Sequence, residues 1–387
     1  MARIIFAGYL VRYPLGGYAW QMAHYLLGFR ALGHDIWFYE DTGDCNCAFA
    51  YNPVTSEFAA SYEYGITATA NFLSKIGFGD RWAFVELDRG LRYGPAANRI
   101  DTLLQESDLL VSFGPVNRVP AELFRNRPAI FIDADPVYLQ LKLAKGDRGL
   151  AAILDAHTFH FTFGENIGKA GSSLPTGGYT WHPTRQPVAL EVWKNGDSPG
   201  HAYTTVGKWD SQGRDIDYRG ETFTWRKRTE WCRFLDLPNT TAKTFELAMD
   251  VDSVPGDLQL LTEKGWRVID PFQISIDPWR YRDYLRGSRG EFTVAKDMNV
   301  RLQSGWFSDR TACYLAAGRP VIIQDTGFGE VLPLGPGLHA FKTAAEATDA
   351  VHMIEQNYDR ARAHASEVAR EYFAAERVLR SLLSHIG

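Results

Sequence analysis

Long apolar runs are missing from this sequence. No stretch of about 18 apolar residues occurs, so no membrane-spanning helix is expected. An excess of positive charge is missing too. The formal net charge is −5, with no basic stripe or Lys/Arg-rich tail, which argues against nucleic acid as a partner. A cleavable leader is not expected, because the opening apolar run is short, lacks a small-residue cleavage site and passes into Gly16-Gly17. Cysteine is scarce: Cys45, Cys47, Cys232 and Cys313 are the whole set. The first two form a C-x-C with no second pair at metal spacing, so no zinc site is expected. Four cysteines suit a reduced, cytoplasmic compartment. The G-x-G-x-x-G fingerprint is absent, which sets aside a Rossmann dehydrogenase.

What is there reads as ordinary globular protein. The 387 residues are long for one core and comfortable for two domains. Apolar residues at 45% and charged residues at 22% exclude disorder. The opening predicts a strand over 4–7, a glycine loop, a helix over 18–32 closed by Gly33, and a strand over 36–39: one βαβ unit. A long helix is expected near 55–76. Short apolar runs at 109–113, 129–132 and 159–163 end in Gly, Asp or Glu, as parallel strands buried on both faces do.

From Lys169 to about Gly200 the composition turns to Gly, Pro and Ser, which marks a linker. A second series follows. Strands are expected at 202–206, 245–249, 267–269, 292–295 and 321–323. Helices are expected at 226–235, 257–264, 278–285 and 309–317, with an almost wholly helical stretch over 343–386. The expectation is an α/β protein of two Rossmann-like doubly wound domains facing across a cleft. Their extents would be 1–185 and 200–370. Residues 371–387 would form a helix that docks on the N-terminal domain or on its own.

The segment from Glu291 to Glu330 is the richest in chemistry. Ser304, Gly305 and Ser308 precede a helix start at Asp309-Arg310, where free N–H groups and the positive dipole end suit phosphate. Lys296, Arg301 and Arg310 add positive charge. Asp325, Thr326, Gly327 and Glu330 follow a strand, where open α/β sheets bind ligands. Here the sequence resembles the GT-B glycosyltransferase superfamily. The resembling residues are Ser304-Gly305-Trp306, Ser308, the run from Tyr314 through Gly318-Arg319-Pro320 to Ile322, then Asp325-Thr326-Gly327 and Glu330. The resemblance implies a C-terminal domain that holds a nucleotide-sugar donor and an N-terminal domain that holds the acceptor. It departs at Cys313, where many members carry a ribose-binding carboxylate; a thiol cannot accept two hydroxyl hydrogen bonds as a carboxylate does. Asp309 or backbone would then serve the ribose.

Other candidates follow from the resemblance, which implies a basic residue facing the donor diphosphate at the start of the second domain and a first glycine loop lining the cleft, and from position. Lys208, after the first strand of the second series, would face the donor diphosphate or be a solvated charge. Arg214 is a weaker candidate for the same role. Gly16 and Gly17 would line the cleft, or supply positive φ to a tight turn. Asp133 and Asp135 would act as base or bind acceptor hydroxyls, or serve as caps. Glu165 has the same two readings. His24 reads as a core histidine. Arg226-Lys227-Arg228 reads first as a solvated helix face and second as a contact to phosphate.

The expected activity is glycosyl transfer from a nucleotide-diphosphate sugar to an unidentified acceptor, small molecule, glycan or lipid-linked. No cofactor and no metal are expected, with Lys208, Lys296, Arg301 and the amides around 304–309 stabilising the leaving diphosphate. The rivals are a GT-B-fold nucleotide-sugar epimerase or hydrolase and a non-catalytic nucleotide-sugar-binding module.

Overall fold

The structure is a computed structural model. It describes residues 1–386 apart from 44–49, 60, 119 and 195–198. Cys45 and Cys47 lie outside the described residues. In chain order the N-terminal strands are β1 (Arg3–Ala7), β2 (Asp35–Asp41), β3 (Ala50–Asn52), β4 (Glu57–Ala59), β5 (Trp82–Glu86), β6 (Leu91–Tyr93), β7 (Leu109–Phe113), β8 (Ala129–Asp133), β9 (Phe159–Thr162) and β10 (Trp181–Pro183). Eight of them form one sheet in the order β10-β9-β8-β7-β1-β2-β5-β6, and β3 and β4 form a separate hairpin. Only β6 runs antiparallel within that sheet. The strands β7 and β8 are buried at every position, as the continuous apolar runs require when helices cover both faces.

The second series contains β11 (Ala202–Gly207), β12 (Ile216–Tyr218), β13 (Glu221–Phe223), β14 (Thr244–Met249), β15 (Arg267–Ile269), β16 (Gly290–Thr293), β17 (Val321–Gln324) and β18 (Leu338–Phe341). Its sheet is all parallel in the order β15-β14-β11-β16-β17-β18, with β12–β13 as a separate hairpin. Both sheets reverse direction of build beside their first strand, between β1 and β7 and between β11 and β16. Ligands of open α/β sheets bind at the carboxyl ends there.

The first helix, Gly16–Ala31, is buried on nearly every side. Gly28 explains one side. A Cβ there would stand 2.6 Å from Leu379 and 2.8 Å from Ala375, so the final helix Ala375–Leu383 packs directly on it. A backbone ladder supports this docking: the Val188 N–H donates to the Phe373 carbonyl and the Ala375 N–H to Val188.

Three expected elements differ. The helix near 55–76 begins only at Glu63, because residues 50–59 alternate into the β3–β4 hairpin. The helix over 226–235 is a single turn, Arg228–Trp231, followed by Leu237–Thr241 with Pro238 in its first turn. The strand over 292–295 starts earlier, at Gly290, where a Cβ would meet the Pro320 carbonyl at 2.6 Å.

Candidate active site in the interdomain cleft

Two carboxylates at the end of β2 hold the loop that follows β1. Glu40 is fully buried and accepts from the N–H groups of Leu10 at 2.6 Å, Val11 at 2.7 Å and Arg12 at 3.0 Å. The Arg12 guanidinium donates to it at 3.2 Å. Burial pushes this carboxyl up, and the cation and the three amides pull against it. Asp41 accepts from the Gly43 and Arg118 N–H groups, while Asn117 after β7 donates to the Gly8 carbonyl and accepts from Asp41. The loops at the N-terminal switch point are thereby tied into one unit.

That loop delivers Gly16 and Gly17 to the helix start. No side chain caps this helix and no acid sits in its first turn, and Gly16 at its start is buried. Neither glycine has a positive φ, which removes the turn explanation. Gly16 is small because a Cβ would lie 2.6 Å from the Tyr281 Cβ and 3.2 Å from the Pro278 backbone of the opposite domain.

The centre of the cleft gathers cations and rings. Lys296, just past β16, places its Nζ 2.6 Å from the Asp135 carboxylate across the cleft and 3.2 Å from the centre of the Trp225 ring. Arg214 lies over the other reach of Trp225 at 5.0 Å. Lys227 sits 5.7 Å from the Trp306 ring. Burial, then Arg310 and Lys296, push the Lys227 ammonium down to about 7. Asp309 heads the helix Asp309–Ala316. Burial lifts its carboxyl, while Arg310 and the Arg310 N–H draw it back. Tyr9 and Tyr18 stand within electrostatic reach of both Asp135 and Asp309. This arrangement can hold a diphosphate between cations while carboxylates face hydroxyl groups.

Several sequence candidates have other partners. Asp133 is buried and its oxygens are taken by Gln140, Thr162 and the Asp135 N–H, with burial raising it to about 6. It shapes the loop, and Asp135 alone reaches the cleft. Lys208 is 73% exposed and lies 3.8 Å from Asp250. Arg301 is bound to Glu221 and to the Thr222 carbonyl, fastening the β12–β13 hairpin. Arg310 spends its guanidinium on Glu291 at 2.6 Å, the Val206 carbonyl at 2.5 Å and Thr293 at 2.9 Å, so it braces the sheet beneath the cleft. Glu165 is paired with Arg185 at 2.6 Å.

The loop at 303–308 and the turn at 325–327 are used by the fold itself. Ser304 is buried, donating to Asn299 at 2.7 Å and accepting from the Trp306 N–H at 3.2 Å. The Gly305 N–H donates to the Thr326 carbonyl at 2.7 Å, and the Thr326 hydroxyl to the Trp306 carbonyl. Asn166, from the loop after β9, wedges between them and donates to the Gln303 and Gly327 carbonyls, both at 3.1 Å. Gly305 (φ 78°) and Gly327 (φ 84°) are left-handed, and a Cβ on either would strike Asn166 within 2.9 Å. Asp325 accepts from the Gly327 N–H and pairs with Lys342 at 3.2 Å. Glu330 is exposed on the following turn. The helix start at Ser308 and Asp309 is what remains of the proposed cradle, and there the Asp309 carboxylate accepts from the Arg310 N–H. Cys313 is buried 3.7 Å from His24, whose ring is also bonded by Trp193 and by the Ala189 N–H. Both belong to the domain contact.

No protein-family model and no curated protein matches the sequence. Solved structures do. The chain is similar to an alpha-glucosyltransferase in complex with UDP and a 13-mer DNA containing a central A:G mismatch, at a TM-score of 0.61 and 12% identity, covering 100% of each chain. It is similar to HepE of Anabaena in complex with UDP and glucose, at a TM-score of 0.59 and 11% identity, covering 100% of this chain and 99% of that one. The chain has the GT-B fold. The GT-B likeness extends to an alpha-glucosyltransferase with UDP-glucose and DNA containing an abasic site, at a TM-score of 0.61 and 11% identity over 99% of this chain and 98% of that one.

This GT-B likeness corrects one expectation. Net charge led to nucleic acid being excluded as a partner, yet the same full-length fold is solved with DNA bound. The balance of a whole chain does not report the charge of one groove. Among the described residues, no helix is long and apolar enough to cross a membrane.

Proposed function

We propose that this protein is a glycosyltransferase that takes its sugar from a nucleoside-diphosphate donor. The carrying observation is the pair of lysines from the second series, Lys296 just past β16 and Lys227 after the β12–β13 hairpin, with Lys296 bonded to Asp135 across from it and Asp309 close by. The UDP bound in the solved neighbours supports a uridine nucleotide. In this reading residues 1–185 hold the acceptor and 200–370 the donor, with the helix Ala375–Leu383 packed back on the first helix.

As the glycosidic bond breaks, negative charge grows on the diphosphate. Lys227 and Lys296 meet it, together with the amides at the start of the helix Asp309–Ala316. These cations stand in for a divalent ion. Asp135 is held by Lys296 in the absence of donor. When the diphosphate claims Lys296, Asp135 is released to take the proton of the acceptor hydroxyl. Asp309 accepts hydroxyls of the ribose or sugar, the task that Cys313 cannot perform.

The acceptor bears a hydroxyl, and nucleic acid stands among the candidates. Titration of UDP, GDP and ADP, with Lys227→Ala and Lys296→Ala beside the native protein, tests the reading. UDP should saturate the native protein and either substitution should weaken it by at least tenfold. Transfer from UDP-sugars should persist in EDTA. Failure of every nucleoside diphosphate to bind would defeat the assignment.

A further inference from the structure

A row of aromatic rings leaves the cleft centre and runs to the surface. It begins at Tyr18 and Tyr9, whose centroids are 5.1 Å apart and which lie beside Asp135. Tyr13 follows at 5.9 Å from Tyr18, then Tyr51 at 6.4 Å from Tyr13 and nearly parallel to it. Phe58 lies 5.3 Å from Tyr51, and Phe272 of the opposite domain lies 6.0 Å from Tyr51. The row thus starts on the loop after β1, crosses the β3–β4 hairpin and ends with one ring from each side of the cleft mouth.

Tyr9 packs on the core at the inner end, and the rings beyond it stand outside the core. Tyr9, Tyr13, Tyr18 and Tyr51 are partly exposed, and Phe58 is 57% exposed. Phe58, the strand partner of Tyr51 in the β3–β4 hairpin, leaves more than half of its surface open, and a run of partly exposed rings can serve as a stacking platform. The row spans several ring widths, more than one small molecule needs. Its flanks carry carboxylates, Asp135 paired with Lys296 and Asp309 at the inner end, and Asp270 together with Asp250, itself 3.8 Å from Lys208, within electrostatic reach of Tyr51. Carboxylates and phenols accept and share hydrogen bonds with hydroxyl groups. A polyhydroxyl chain without charge satisfies both features, stacking its apolar ring faces and bonding its edges.

We propose that this row is the acceptor track, and that the acceptor is an uncharged oligosaccharide whose terminal hydroxyl reaches Asp135. This rests on the glycosyl-transfer reading above and names its acceptor class. A nucleic-acid strand is the competing occupant. It would stack on the same rings while bringing phosphates toward Asp250 and Asp270.

The test is binding of cello- and malto-oligosaccharides and of a thymidine oligonucleotide to the native protein, Phe58→Ala, Tyr51→Ala and Phe58→Trp. UDP binding is measured on each. The expected result is saturable binding of an oligosaccharide, weakened about tenfold in Phe58→Ala, as loss of one stacking ring predicts, and restored in Phe58→Trp. UDP affinity should be unchanged throughout. Oligosaccharide binding that ignores Phe58 and Tyr51, or none at all while UDP binds, overturns the track. Oligonucleotide binding with the same dependence on Phe58 overturns it in favour of nucleic acid. Oligosaccharide binding sensitive to Phe58 in a protein that ignores UDP supports the track and defeats the transfer reading.

Discussion

Raising the pH should release the nucleotide, and Lys227 should be the reason. The folded protein holds this ammonium at about 7, because burial and the neighbouring Arg310 and Lys296 penalise the charge. A diphosphate supplies the missing counter-charge and returns the pKa toward the ordinary lysine value, roughly 10.4. Only the protonated form gains the attraction. Affinity is therefore full below pH 7 and falls as pH rises. Each unit above 7 costs about tenfold, so UDP binding at pH 9 should be about 100-fold weaker than at pH 6, or ~2.7 kcal/mol. The second phosphate ionisation lies near pH ~6 and contributes no slope above 7. Calorimetry at pH 8 in two buffers of different ionisation enthalpy should show uptake of about 0.9 proton per UDP bound. Lys227→Arg should bind UDP with no slope between pH 7 and 9, since arginine stays charged. A native affinity that is flat over this range, with no proton uptake, refutes the placement of Lys227 against the diphosphate.

Other consequences are simpler. Glu40→Ala should destabilise the protein by about 3–5 kcal/mol, because it strands the buried Arg12 guanidinium and three N–H groups; chemical denaturation reads this. Gly327→Val should cost roughly 2–4 kcal/mol by forcing a branched residue into left-handed backbone against Asn166, seen as a lowered Tm. Lys208→Ala should leave kcat and UDP affinity within about twofold, as a side chain 73% exposed predicts; a loss near 100-fold would restore Lys208 to the site.

Much of the architecture was legible in the residues. Short apolar runs ending in Gly or an acid, separated by helical spacing, are what parallel strands need when helices cover both faces. The edge strands β10 and β18 and the β12–β13 hairpin were not legible. Three or four residues such as Trp181–Pro183 carry too little pattern, and only their neighbours recruit them.

The site was half legible. Lys296, Asp135 and Asp309 sit where strand ends and a helix start place them, and local order along the chain predicts such positions. Lys227 was misread as a solvated face. Its own neighbours Arg226 and Arg228 suggest solvent, and the ring it faces, Trp306, is far along the chain. A lysine two residues after Trp225 was the available signal. Gly305 was read with Ser304 and Ser308 as a phosphate site and Gly327 as part of a ligand loop, and Asn166 packs against both glycines.

By itself, then, the sequence determined the alternation of strands and helices, the two-domain order and the helix start beside Asp309, because these depend on contacts between near neighbours in the chain. Tertiary structure alone decided which lysines enter the cleft, which glycines exist for docking, and that Glu40 and Asn166 hold the parts in place. Those outcomes depend on charge, burial and steric contact between segments that meet only when the two sheets face each other.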